Sequence, residues 1–241
     1  MTRATRREPR GFALLLVLLV ASLLSAMALG LATIVSSTQL AVGNFGEGTA
    51  MLYAAEAGVE LAARELAREP AWDAVLSGTT RSALADGPPL GARAIPSGGT
   101  VSLQVETNQL NCGRATACTP GQMAANAPDR PWGANNPVWR PFIYGPVDRL
   151  VRPARTMPGY LLVWIADDSR EADDRPLADS SSADGRGRGI VRVRAEVFGS
   201  GGARRAVEAE LARVCREIDG GVVCQPGIRV QAWREVRQLV P

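Results

Sequence analysis

Residues 12–35 read FALLLVLLVASLLSAMALGLATIV, twenty-four positions without a charge. At ~1.5 Å per residue they make about 36 Å of helix, enough to cross a ~30 Å hydrocarbon core with some tilt. A buried helix of a soluble domain rarely stays free of charge for that length, so the stretch reads as membrane-inserting. Immediately before it, residues 1–11 hold Arg3, Arg6, Arg7 and Arg10 against Glu8, and no such cluster follows. That asymmetry predicts a cytoplasmic N-terminus and an exported remainder.

The whole chain of 241 residues has 27 basic and 24 acidic side chains. Taking away the four arginines and one glutamate of the tip leaves 23 of each sign, so the rest is electrically balanced. The reading therefore includes no nucleic-acid partner, which needs a basic face on the folded part. Histidine and lysine are both absent. Their absence removes Ser-His and Cys-His nucleophile pairs, histidine-ligated zinc, the phosphate-loop lysine and Schiff-base lysines. No catalytic residue, cofactor or metal is assigned, and the chain is read as a non-enzyme.

Three fates fit the apolar run. A secretory signal peptide could be cut after Ala26-Met27-Ala28, although its apolar core of 7–15 residues is normally shorter than this one. An uncleaved anchor needs no further feature. The third fate is a cut before the run, between Gly11 and Phe12, with the whole run retained.

The stretch Arg10-Gly11-Phe12-Ala13-Leu14, a basic leader ending in Gly and followed by Phe and a long apolar run, resembles the N-terminus of type IV prepilins and pseudopilins. Downstream, Tyr53-Ala54-Ala55-Glu56-Ala57-Gly58-Val59-Glu60 is similar to the A-A-E-A-G/A-x-E stretch of PilX-type minor pilins. The resemblance covers residues 7–68. It implies that a membrane aspartyl peptidase cuts after Gly11 and methylates Phe12. It also implies an α+β, pilin-like fold: a long N-terminal helix over 12–68, membrane-spanning in its first half (12–35), packed on an antiparallel sheet in an exported head, 69–241. Major pilins carry Glu at the fifth position after the cut, where it pairs with a neighbour's terminal amine; here that position is Leu16. The departure implies a minor or tip-proximal subunit of a type IV pilus. Implied partners are other minor and major pilins, the prepilin peptidase and the inner-membrane assembly machinery. The implied place is the inner membrane, single-pass, with a periplasmic head. A K-type minor pseudopilin of type II secretion shares the leader and the missing Glu, but the family inserts a large helical subdomain where this chain is rich in Gly and Pro. A signal-anchored extracytoplasmic binding protein is the alternative from another class.

Residues 43–48 place three glycines together, each costing a helix about 1 kcal/mol relative to Ala, and predict a kink or local melting. Beyond them Leu52, Ala55, Val59, Ala62 and Leu66 recur at spacings of 3 and 4, one apolar stripe expected to pack on the protein's own sheet. Glu60 and Arg64 form an i,i+4 pair off that stripe, and with Glu56 and Leu16 they are the expected subunit-packing positions. Pro70 and the Gly/Ser/Pro-rich stretch 77–99 end the helical region. Thr100–Glu106 alternates and reads as a strand, Tyr160–Ala166 as a central strand. Ile190–Phe198 and Ala203–Val214, joined by Gly199–Gly202, form the clearest hairpin, and 222–223 with 228–236 suggest another.

Four cysteines in an exported region point to oxidation. The local pairs Cys112–Cys118 and Cys215–Cys224 are favoured among three connectivities, and a zinc site is poorly spaced. Residues 127–158 hold seven prolines and Trp132, Trp139, Phe142 and Tyr144, suited either to a partner surface or to a loop folded back on the sheet. Residues 167–184 hold Asp167, Asp168, Glu171, Asp173, Asp174, Asp179 and Asp184. Their density suits calcium, but EF-hand spacing is missing and Arg170 and Arg175 intervene, so a solvated loop is favoured.

Overall fold

The computed structural model describes residues 12–151, 157–171, 173–179, 189–218 and 221–236, without the side chains of 214–218 and 221–226. Gly11, Asp184 and the rest of the leader lie outside them. The chain divides into two units, residues 1–47 and 48–241. Helix α1 spans Phe12–Arg68. Its backbone is helical through Gly43, Gly46 and Gly48, so the melting expected at 43–48 does not occur. A glycine penalty of ~1 kcal/mol weakens a helix without breaking it when the hydrogen-bond ladder continues on both sides.

The head is α+β, as expected: the C-terminal part of α1 lies on a five-stranded antiparallel sheet. A short helix α2 (Trp72–Leu76) follows Pro70, then a two-stranded ribbon of β1 (Ala92–Ala94) and β2 (Thr100–Ser102). Next come α3 (Leu103–Cys112) and α4 (Pro120–Met123). The main sheet is a meander of β3 (Arg140–Pro146), β4 (Tyr160–Asp167), β5 (Ile190–Phe198), β6 (Arg204–Ile218) and β7 (Gly221–Val236), with α5 (Val147–Leu150) between the first two strands.

The expected central strand is central, and all eight β4 residues are buried. Leu161, Val163 and Ile165 face the α1 side with Val191, Val193, Ala195 and Val197 of β5. Tyr160, Leu162, Trp164 and Ala166 face a second apolar cluster with Leu103 of α3 and Trp139. A core on both faces explains why β4 reads as a continuous apolar run while β5 and β6 alternate. The β5–β6 hairpin turns where expected, through Gly201 and Gly202 at φ 59° and 80°. The last hairpin pairs β6 with β7.

Two expectations are corrected. Thr100–Glu106 is a strand only to Ser102, where the chain enters α3. The Ser102 hydroxyl accepts a hydrogen bond from the Val105 amide, and Gly113, at φ 69°, closes the other end in the left-handed conformation. These two caps outweigh the period-2 pattern. Within the supposed loop 127–158, Arg140–Pro146 is a strand despite two prolines. It lies at the sheet's edge, with a register shift between Pro141 and Ile143, and an edge tolerates the missing donors.

Candidate functional site

Residues 12–46 of α1 bear no charge, and every one through Gly46 is exposed in the chain by itself. Phe12 is 68% and Leu16 50% exposed. This is the one helix among the described residues long and apolar enough to cross a membrane. Five of its hydroxyl side chains are turned back on the helix. The hydroxyls of Ser22, Ser25, Thr33, Ser37 and Thr38 each donate to a backbone carbonyl three or four residues earlier, at 2.7–2.9 Å. Each satisfies its own donor, which is what a lipid environment requires.

The stretch Tyr53–Leu66 acquires a physical meaning in the head. Ala54, Ala55, Gly58, Val59, Ala62 and Leu66 are buried against the sheet, and Leu52 is partly so. The expected stripe is there, widened by Met51, Ala54 and Gly58. Gly58 sets the approach: a Cβ there would lie 3.0 Å from Leu161 Cδ1 and 3.1 Å from Ala195 Cβ. Small residues thus bring the helix close to the sheet, and the glutamates between them fall on the other side. Glu60 and Arg64 are exposed and paired at 3.3 Å, while Glu56 is half-buried. Such an exposed pair is worth a few tenths of a kcal/mol, so its position off the sheet says more than its energy.

The face of the sheet opposite α1 carries charged side chains of β5 and β6, several of them buried. Arg194 is 7% and Glu196 2% exposed. Arg194 donates to Glu208 at 2.9 Å and to Glu196 at 3.2 Å. Arg204 forms a bidentate pair with Glu106 of α3, at 2.6 and 2.9 Å. Burial raises the Glu196 carboxyl despite these arginines. At Glu208 burial also raises, but the Arg234 hydrogen bonds and the charges of Arg194 and Arg192 outweigh it and hold the carboxyl below its usual value. Beside this network lies an open cleft of about 580 Å³, lined by Trp132, Asp168, Arg170, Arg192, Glu208 and Trp233 among others.

Of the four aromatics in 127–158, Trp139, Phe142 and Tyr144 are buried on the sheet and Trp132 alone is exposed. Asn111, unremarkable in sequence, ties this segment down. Its amide donates to the Trp139 carbonyl (3.0 Å) and accepts from the Trp139 amide (2.7 Å), as a neighbouring strand would. The Cys112–Cys118 disulfide is present, with Cα atoms 6.0 Å apart. Cys215 and Cys224 are opposite one another in the β6–β7 register, and their side chains lie outside those described.

The acidic segment departs most from expectation. Asp167, Asp168 and Glu171 are 3%, 3% and 1% exposed, not solvated. Asp168 is paired with Arg170 at 2.8 Å, and Arg170 reaches Glu210 at 2.9 Å. Carboxylate oxygens of Asp167, Glu171 and Asp179 lie within 4.8 Å of one another. At an effective dielectric of ~20, unit charges at that distance repel by about 3–4 kcal/mol per pair. Burial first, then the charges of Glu171, Asp179 and Asp173, pushes the Asp167 carboxyl up to about 9. Asp179 is held from two sides: its amide donates to Asp73 of α2 at 2.8 Å, and its carboxylate accepts from the Gly189 amide at 2.5 Å. In sequence the density of carboxylates was visible; that β4 ends on Asp167 inside the core was not. Compared with known proteins, the chain matches no family model, no curated protein and no solved structure.

Proposed function

We propose that the chain is a PilX-like minor pilin of a type IV pilus, a priming or tip-proximal structural subunit. One observation carries the proposal: a charge-free helix, exposed from Phe12 to Gly46, continues into a helix whose small residues pack on an antiparallel sheet. The prepilin-like leader and the Tyr53–Glu60 stretch support the same reading. In it, the peptidase cuts between Gly11 and Phe12, the apolar helix sits in the inner membrane until assembly, and the head is periplasmic. Its work is association, by helix packing and by contacts of the head with other pilins. Leu16 offers no carboxylate to a neighbour's terminal amine. A charge left unpaired in lipid costs about 3 kcal/mol or more, which supports a subunit used sparingly in the filament.

Coexpression with a prepilin peptidase tests the proposal. Intact mass and N-terminal sequencing should show a mature chain beginning at methylated Phe12, and Gly11→Leu should abolish the cut. An N-terminus near Gly30, or a chain left whole by an active peptidase, refutes it.

A further inference from the structure

The geometry points to a calcium site formed by Asp167, Glu171 and Asp179, an inference independent of the assembly role proposed above. The three residues are the last of β4, one in the turn after it and the last of the described stretch 173–179, and the fold brings their oxygens within 4.8 Å of one another. Oxygens bound to one calcium ion at 2.3–2.6 Å are never more than about 5 Å apart, so the spacing is that of a shared ligand sphere. The second observation is Asp167 itself. Its residue is 3% exposed, yet Oδ1 is buried with no hydrogen-bond partner. A buried acceptor without a donor is costly, and a cation among the three carboxylates supplies what the protein does not.

The donor set selects the ion. All three ligands are hard carboxylates, and the sequence has no histidine to attract zinc or copper. Magnesium at 2.0–2.1 Å keeps several waters and usually takes one or two carboxylates, whereas three converging carboxylates suit calcium. Asp168 does not join the set, being committed to Arg170. The nearby arginine, Arg213, feels Asp179 but donates to the carbonyls of Glu69 and Pro70. Because Asp179 also bonds Asp73 and Gly189, a bound ion ties Asp179, and through it α2 and Gly189, to the end of β4.

The test uses the full-length chain in detergent, stripped with EDTA and titrated with CaCl2. Equilibrium dialysis should find one calcium per chain with Kd of about 1 mM or tighter. Thermal unfolding should rise by about 5–10 °C at a hundredfold excess over Kd. Asp167→Asn keeps the shape and replaces a carboxyl that can ionise against the cation with an amide that cannot. It should weaken calcium binding at least tenfold while its Tm without calcium equals or exceeds the wild type's, a combination that general misfolding cannot produce. Should that variant fail to fold, Glu171→Gln replaces it with the same expected loss of affinity. An unchanged wild-type Tm up to 10 mM CaCl2, or a variant binding as tightly as wild type, overturns the site. An equal response to MgCl2 overturns the choice of calcium.

Discussion

Replacing Gly58 with valine should loosen the head at the point where helix and sheet come closest. The Cβ alone would sit 3.0 Å from Leu161 Cδ1 and 3.1 Å from Ala195 Cβ, against an ordinary carbon–carbon contact of about 3.5–4.0 Å. Leu161 Cδ1 is the end of a flexible side chain and gives way. Ala195 Cβ is attached directly to β5, which is hydrogen-bonded to β4 and β6, so it does not. The helix must shift by several tenths of an ångström, and the two γ-methyls add to the crowding. Overpacking of this kind costs about 1–3 kcal/mol, and valine regains only ~0.3 kcal/mol over glycine in helix propensity. A net loss of about 2 kcal/mol corresponds to roughly 4–8 °C in a domain of this size. Tryptophan fluorescence during heating of the detergent-solubilised chain measures it, with Ala67→Val, exposed on the same helix, as the control for β-branching. A Gly58→Val midpoint within 1 °C of wild type, or an equal fall for Ala67→Val, would show that the close approach is not what holds the helix in place.

Asn111→Ala should destabilise by about 2–4 kcal/mol, because it leaves both backbone groups of buried Trp139 unpaired; a denaturant midpoint unchanged from wild type refutes the strand-like role given to this amide. Stability should also fall with acid. Glu208 has its pKa lowered in the folded state, so its contribution is complete above about pH 4.3, the unfolded value, and is lost as pH falls through the folded one. Glu208→Gln should therefore be less stable than wild type at pH 7 and converge on it below pH 4, and parallel stability curves from pH 3 to 7 would contradict this.

What the sequence made legible were elements whose side chains meet different surroundings on opposite sides. Ile190–Phe198 and Ala203–Val214 alternate because one face meets α1 and the other meets charges. The stripe of α1 was legible for the same reason. Thr100–Glu106 misled because a short alternating pattern cannot outweigh a serine cap and a left-handed glycine placed eleven residues apart. Arg140–Pro146 was hidden by prolines that only its edge position excuses. Asp167 reads as part of a solvated loop because nothing local announces that β4 carries it into the core, and the burial of Arg194 and Glu196 likewise has no local signal. Gly58 gave no signal of its packing role, since its use lies across the interface at Ala195.

The burial of β4 on both faces has a consequence during synthesis. Tyr160–Ala166 is rich in β-prone side chains, with no charge, proline or glycine, the composition that pairs most readily with copies of itself. Its partner β3 and the helices that flank it precede it along the chain, but β5 ends only at Phe198, thirty-one residues after Asp167. At ~5–20 residues per second one backbone edge of this strand stays open for about 2–6 s in every molecule made. On the proposed reading, in which the N-terminal helix is held in the inner membrane and the head is exported unfolded, that interval becomes a search within one tethered chain rather than a hazard of concentration.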